Sequence, residues 1–234
     1  MSDAEGSEEA LVRRLCSMEA PLNERLATFS AFVREHALPF AEAYDELAVR
    51  LEAAKSGSTA PDVGETMPCF VLPDGQGRFH SLDEKLERGP VVVSFNRGHW
   101  CPYCTVELNA LKQALKEFAA TGAQIVSVMP DSGDYVAKVA ADIGYAYPVL
   151  SDQDNGYALS ANLVIWLGER IRNLNGKFEI QVEKSQGNDG YFVPIPATFV
   201  VGPDGRVAAR YVDPDFRRRM EIDDILAALR RLNT

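Results

Sequence analysis

The sequence predicts an α/β fold, a central sheet with helices on both faces, preceded by a helical extension. Three observations lead there. From residue 62 onward, short apolar β-branched runs alternate with segments of helical periodicity, the pattern of parallel βαβ units. "VVVSF" at 91–95 is continuously apolar but for one serine, as a strand buried on both faces must be. Before residue 62 the apolar residues recur only at helical spacing.

Residues 1–9 are polar and acidic and are expected to fray. Leu22, Leu26, Phe29 and Val33, then Phe40, Tyr44, Leu47 and Leu51, mark helix faces; Pro39 interrupts them, so two or three helices are expected over 8–55. "KSGSTAP" at 55–61 reads as a linker. It divides the chain into a helical extension, 1–58, and an α/β domain, 62–234. The extension is either a packed appendage or a docking or dimerisation element, which would make the protein a homodimer.

Within the domain, "CFVLPDGQGRFHSL" reads as a hairpin turning on Asp74-Gly75 and Gly77. Leu108, Leu111, Leu115 and Phe118 mark one helix face ending near Gly122, followed by the strand "QIVSVMP" at 124–130. "GDYVAKVAADIG" reads as a helix and "YPVLSD" as a strand. In 155–190, "YALSANLVIWLGERIRNL" is expected to be helical and "NGKFEIQVEKSQGNDG" irregular or a hairpin. "ATFVVGPDGRVAARYV" at 197–212 is a hairpin with Pro203-Asp204-Gly205 in its turn. Ile222, Ile225, Leu226 and Leu229 give a final amphipathic helix.

Composition narrows the function classes. The formal charge is 24 − 34 = −10, unsuited to a general nucleic-acid binder, which needs clustered Lys and Arg. "RRR" at 217–219 is the one notable basic cluster, and reads as a solvated start to the last helix. No apolar run is long enough to span a bilayer, which takes about 18 residues or more. The first residues lack the layout of a secretory signal, so a cytoplasmic location is expected. Four cysteines, Cys16, Cys69, Cys101 and Cys104, are too few for a secreted disulfide scaffold.

Chemistry concentrates in "RGHWCPYC" at 97–104, between a strand and a helix. Pro102 suits the first helical position, where its missing N–H costs nothing. Cys101 then sits at the helix N-terminus, where unpaired amides and the dipole favour a thiolate. Cys104 lies nearly one turn on and is expected to be more buried. An exposed nucleophile with a sheltered partner is an asymmetric redox couple, and Arg97 and His99 are candidate cationic neighbours. A zinc site would need four ligands, and Cys16, Cys69, His36 and His80 are scattered singly. Two inert core cysteines are the plain alternative.

Together with "VPIPATFVV", in which Ile195-Pro196 precedes a strand, these features resemble the thioredoxin-fold superfamily. More closely the chain resembles peroxiredoxin-like proteins of the alkyl hydroperoxide reductase and thiol-specific antioxidant family. The resemblance covers about 62–232 and rests on "CFVLPDGQGRFHSL", "VVVSFNRGHWCPYC", "VPIPATFVVGPDGRV" and "YVDPDFRRRMEIDDILAAL". It implies a thioredoxin-like fold with a mixed sheet, an attacking Cys101, a resolving Cys104, and a cis Pro196 beside the pair. Pro102-Tyr103 is the glutaredoxin dipeptide, while "WC" before it, with Trp100, is thioredoxin-like.

The sequence also departs from the family pattern. Typical peroxiredoxins carry a proline seven residues, and a threonine or serine three residues, before the attacking cysteine; here these are Ser94 and Gly98. They carry an arginine near the start of the strand that here follows Pro196. These departures bear on peroxidase efficiency, and Arg97 could substitute from the other side. Trp100 is expected either to shield the pair and wall a substrate groove or simply to fill the core. Cys69, where relatives commonly carry Asp or Asn, reads as a buried thiol, Cys16 as inert, His99 as exposed, and Asp213 and Asp215 as caps of the last helix region.

The resemblance implies hydroperoxide reduction without metal or organic cofactor. A dithiol donor, thioredoxin or a glutathione/glutaredoxin system, would recycle the pair. Two other readings stay open: a protein disulfide reductase using the same cysteines, and a non-enzymatic redox sensor acting through the N-terminal helices.

Overall fold

A computed structural model describes residues 2–232 of the chain, with side chains from residue 7 onward. Three helices come first, α1 (Ser2–Ser17), α2 (Leu22–His36) and α3 (Leu38–Ala53). Pro39 stands in the first turn of α3, so the residue that breaks the helical pattern starts a new helix. The backbone is helical from Ser2, not frayed over residues 2–9. Glu24 in the first turn of α2 suits the positive end of the helix dipole, and α1 packs on the helix that carries the cysteine pair.

A hairpin follows, β1 (Val71–Pro73) and β2 (Phe79–Ser81), then α4 (Leu82–Leu86). Its turn is organised by the Asp74 carboxylate, which accepts from the amides of Gln76 and Arg78 and contacts Arg78 Nε and His80 Nε2. The main sheet is built from β3 (Val91–Phe95), β4 (Gln124–Met129), β5 (Val149–Ser151), β8 (Ala197–Val201) and β9 (Val207–Val212). Its order is β5-β4-β3-β8-β9, with β3, β4 and β5 parallel and β8 antiparallel to both β3 and β9. The expected mixed sheet is therefore present, with β3 at its centre and all five of its residues buried.

Alternate strand residues feed two cores. Val91, Val93 and Phe95 face a core shared with Leu26, Phe29 and Leu47 of the N-terminal helices, while Val92 faces Leu111, Phe118 and Leu229. The crossover helices are α5 (Pro102–Gln113) with α6 (Leu115–Ala120), and α7 (Gly133–Asp142); α11 (Ile222–Leu232) closes the second face. The helix expected to run unbroken to Gly122 is split at Ala114, whose amide is shared among three carbonyls in a tightened turn. Residues 55–61 are pinned to the domain: Asn162 donates to the Thr59 carbonyl and Arg210 to that of Ala60.

The segment 155–190 departs most from expectation. The "YALSANLVIWLGERIRNL" stretch is not one helix: it forms α8 (Gly156–Ser160), β6 (Val164–Trp166) and α9 (Glu169–Lys177), and α10 (Val182–Gln186) follows. β6 pairs antiparallel with β7 (Phe192–Pro194). The β-branched "VIW" takes up strand structure because a distant partner supplies its ladder, which local periodicity does not reveal.

Burial alone would push the Asp74 carboxyl up, but its bonds to His80, Gln76 and Arg78 hold it down at about 2. Its contribution to stability is complete above the ordinary carboxylate range and disappears as pH falls through about 2. Asp74→Ala should therefore lower unfolding free energy by about 1–3 kcal/mol at neutral pH in urea titrations. That difference from wild type should shrink in strong acid.

Candidate active site

β3 ends at Phe95, and the Asn96 amide continues the ladder by donating to Val128 O at 2.8 Å. The chain then turns through 97–100 into α5. Two features fix that turn. Gly98 has φ +140°, and a Cβ there would lie 2.6 Å from Trp100 Nε1, which explains glycine where relatives carry threonine or serine. Buried Asp131, just beyond β4, accepts from the His99 amide at 2.6 Å and contacts His99 Nδ1 at 3.2 Å. His99 is thus partly buried and held, not freely exposed.

Cys101 is the N-cap of α5 in extended conformation, and Pro102 occupies the first turn, as the sequence predicts. Both cysteines are free thiols in this structure. The Cys101 sulfur lies beside the thiol and the amide of Cys104, and faces the charges of Arg97 and Arg219. Burial opposes ionisation, but these donors and cations outweigh it and hold the Cys101 thiol down at about 6. Cys104 goes the other way: burial and the adjacent Cys101 sulfur push its thiol well up. The two thiols are thus pushed in opposite directions although both are buried.

The correction concerns access. Cys101 was expected to be exposed and is 2% accessible. The N-terminal helices close over it: Phe29 packs edge-on against Tyr103 at 5.0 Å, Ser30 and Tyr103 hydroxyls meet at 3.0 Å, and Cys16 Sγ contacts the Thr105 carbonyl. Arg97 is also buried, with its guanidinium carbon 3.8 Å from the Phe216 ring centre, 5.0 Å from Trp100 and 5.9 Å from Tyr44. Its Nε and Nη2 have no hydrogen-bond partner. Trp100 covers Arg97 and, with His99 and Pro102, lines an open pocket of about 260 Å³ under α1.

Arg219 corrects the reading of "RRR" as a solvated run. It is 1% exposed, donates from Nε to Glu107 Oε2 at 2.7 Å, and directs Nη2 at Cys104 Sγ at 3.7 Å. Its other nitrogen, Nη1, bonds the carbonyls of Phe216 and Arg218. Glu107 Oε1 in turn accepts from Ser94 and Thr198, so Ser94, where relatives carry proline, supports the ion pair. Burial pushes the Glu107 carboxyl up while Arg219 pulls it down; Arg219, opposed by burial but facing Glu107 and both sulfurs, is held more firmly protonated. The 2.7 Å contact is that of a charged pair.

Other expectations need adjustment. The Ile195–Pro196 peptide is trans; no cis bond occurs among the described residues. The chain enters β8 extended, with the Ile195 amide bonded to Leu163 O, a path that the ordinary trans form serves. Pairing of Phe95 with Ala197 nevertheless sets both residues, buried, beside the exit of β3. Cys69 is exposed rather than buried, with its thiol on Asp83 Oδ1 at 3.2 Å, because the loop before β1 runs along the surface. Asp213 and Asp215 order the turn before α11 and pair with Arg217 and Arg218. Among the described residues no cluster of three or more His, Cys, Asp or Glu could hold a metal.

Sequence reasoning missed Tyr44, Glu107, Asp131, Phe216 and Arg219. Glu107 had a signal: it lies three residues after Cys104, on the same helix face. The others had none.

Comparison with known proteins agrees with this geometry. Residues 63–210 match the model of the AhpC/TSA family. The chain belongs to that family. One Mycobacterium tuberculosis protein assigned as a peroxiredoxin is 28% identical over 172 residues, 73% of this chain and 97% of its own. The solved peroxidoxin BcpB of Mycobacterium tuberculosis superposes with a TM-score of 0.57 at 27% identity, covering 73% of this chain and 97% of that one. A peroxiredoxin 6 mutant of Arenicola marina shares the fold at TM-score 0.58 and 18% identity, over 74% of this chain and 73% of its own. This AhpC/TSA member is an enzyme of the thiol-peroxidase class. Tyr44, Phe216 and Arg219 all lie outside the matched residues.

Ultraviolet thiolate absorbance against pH should give a midpoint at about 6 for Cys101. Arg97→Met should raise it by about one pH unit. An unmoved midpoint would show that this cation does not act on the sulfur.

Proposed function

We propose that the protein reduces hydroperoxides through the Cys101 thiolate and turns over by closing and reopening a Cys101–Cys104 disulfide. The observation that carries this reading is a buried cysteine pair at the start of α5, in which the adjacent Cys104 and the charges of Arg97 and Arg219 hold the Cys101 thiol down at about 6. The thiolate attacks one peroxide oxygen, the O–O bond breaks, and the departing oxygen takes a proton and leaves as water or alcohol. Cys101 is then a sulfenic acid. Cys104 attacks that sulfur, releasing water and forming the disulfide. A dithiol donor, thioredoxin or a glutathione-linked glutaredoxin, returns both thiols by exchange.

Arg97 stands in for the arginine that typical family members carry on the strand after Pro196. Its unpaired Nε and Nη2 donors sit within an apolar box of Tyr44, Trp100 and Phe216. They are available to the oxygen on which negative charge builds, where a low-dielectric setting makes such donors effective. Trp100, Pro102 and Tyr103 hold this box closed over the sulfur, with Ile195 and Pro196 at the neighbouring strand start.

Among the described residues no helix is long and apolar enough to cross a membrane, and four sparse cysteines suit the reducing cytoplasm.

Stopped-flow peroxide consumption tests the reading. Cys101→Ser should abolish it, and Cys104→Ser should allow one turnover and accumulate sulfenic acid trapped by a dimedone-type reagent. Wild type should turn over peroxide far faster than it reduces insulin disulfides, and its rate should fall as pH drops through about 6. Equal peroxide rates for wild type and Cys101→Ser would remove the proposal.

A further inference from the structure

Building on the Cys101–Cys104 cycle proposed above, we infer that Arg219 is a catalytic residue of the recycling half-reaction, stabilising the Cys104 sulfur as it leaves the disulfide as a thiolate. In that step a thiolate of the donor attacks Cys101 Sγ. The S–S bond breaks, its electron pair moves to Cys104, and a mixed disulfide joins the donor to Cys101. The donor's second thiolate then attacks the donor's own bridged sulfur and releases Cys101 as a thiolate. The donor is oxidised by two electrons and the protein disulfide is reduced; of the donor's two protons, one passes to Cys104 and one to solvent.

The difficulty lies at Cys104. It is 1% exposed, so an anion released there has no water to solvate it. Two N–H donors point at its sulfur: the Arg97 amide at 3.4 Å and Arg219 Nη2 at 3.7 Å. The Arg219 guanidinium is fixed by its other bonds, Nε on Glu107 and Nη1 on the Phe216 and Arg218 carbonyls, which leaves Nη2 as the arm for sulfur. The guanidinium is thus aimed at the leaving atom before the reaction begins, the arrangement that makes electrostatic stabilisation effective.

The charged and titratable groups around Cys104 are Arg97, Cys101, Glu107 and Arg219. In the mixed disulfide Cys101 carries no charge, so Glu107 and the departing Cys104 are the two anions competing for Arg219. A catalytic role for Arg219 therefore predicts opposite effects at its two neighbours. Weakening Glu107 frees the cation for sulfur; weakening the cation itself strands the sulfur. A merely bracing ion pair between α5 and the segment before α11 predicts neither.

The full chain is oxidised with one equivalent of peroxide, then mixed with dithiothreitol above the Cys101 midpoint, and re-reduction is followed by tryptophan fluorescence. Glu107→Gln should speed re-reduction at least about threefold and Arg219→Lys should slow it about tenfold, the latter corresponding to roughly 1.4 kcal/mol. In a Cys101→Ser background, the Cys104 thiolate midpoint should fall with Glu107→Gln and rise with Arg219→Lys. Re-reduction and titration within twofold of wild type in both variants would overturn the inference. Should Arg219→Lys fail to fold, Glu107→Gln decides alone: an unchanged or slower rate overturns it. Failure of the underlying cycle shows separately, as wild type losing no pair of thiols when peroxide is added.

Discussion

A guanidinium buried at the heart of a protein must be answered by an anion, and much of this structure follows from how Arg219 is answered. Its partner Glu107 sits on α5 one turn beyond Cys104, and the carboxylate is braced in turn by hydroxyls from the two central strands, Ser94 on β3 and Thr198 on β8. Breaking a buried pair by removing one member costs about 3–5 kcal/mol, because a charge is left without solvent or partner. The helix bearing the cysteines is therefore tied to the segment before α11 as firmly as to the sheet. The same ion pair carries positive charge to both sulfurs, so a fold constraint and a site property share one interaction.

The chain's two flanks also hold each other. Glu221 accepts the first amides of α2, Leu22 N at 2.8 Å and Asn23 N at 2.9 Å, a capping role filled from the other end of the sequence. Asn23 returns the bond through its side chain, donating to Arg219 O and accepting from Arg219 N. With α2 fixed in this way, Ser30 and Phe29 reach Tyr103, and α3 sets Tyr44 over Arg97. The roof over Cys101 is thus built from residues outside 63–210, the part that matches the AhpC/TSA family.

Enclosure changes how the sulfur is activated. An exposed cysteine at a helix start would rely on the dipole and on free amides, whose influence water and salt reduce. Here burial penalises the thiolate, and the compensation comes from the neighbouring Cys104 and two cations in a medium that screens them little. The box of Tyr44, Trp100 and Phe216 has a second consequence. Within it the Nε and Nη2 donors of Arg97 have no hydrogen-bond partner.

The local grammar of the chain determined a good deal by itself. The buried strand 91–95, the helix opening at Pro102 with Cys101 as its cap, the hairpin around Asp74, and the last amphipathic helix all depend on residues within a turn or two of one another. Periodicity and capping chemistry report those directly. Tertiary structure decided what depends on distant residues meeting. β6 formed because β7 was there to pair with it. Cys101 was covered because α1 and α2 fold back across α5, and Arg219 became a buried partner of Cys104, 115 residues away, instead of a solvated start to a helix. A spacing rule has no reach over such separations, since the energy that fixes them is desolvation and charge pairing in an assembled core.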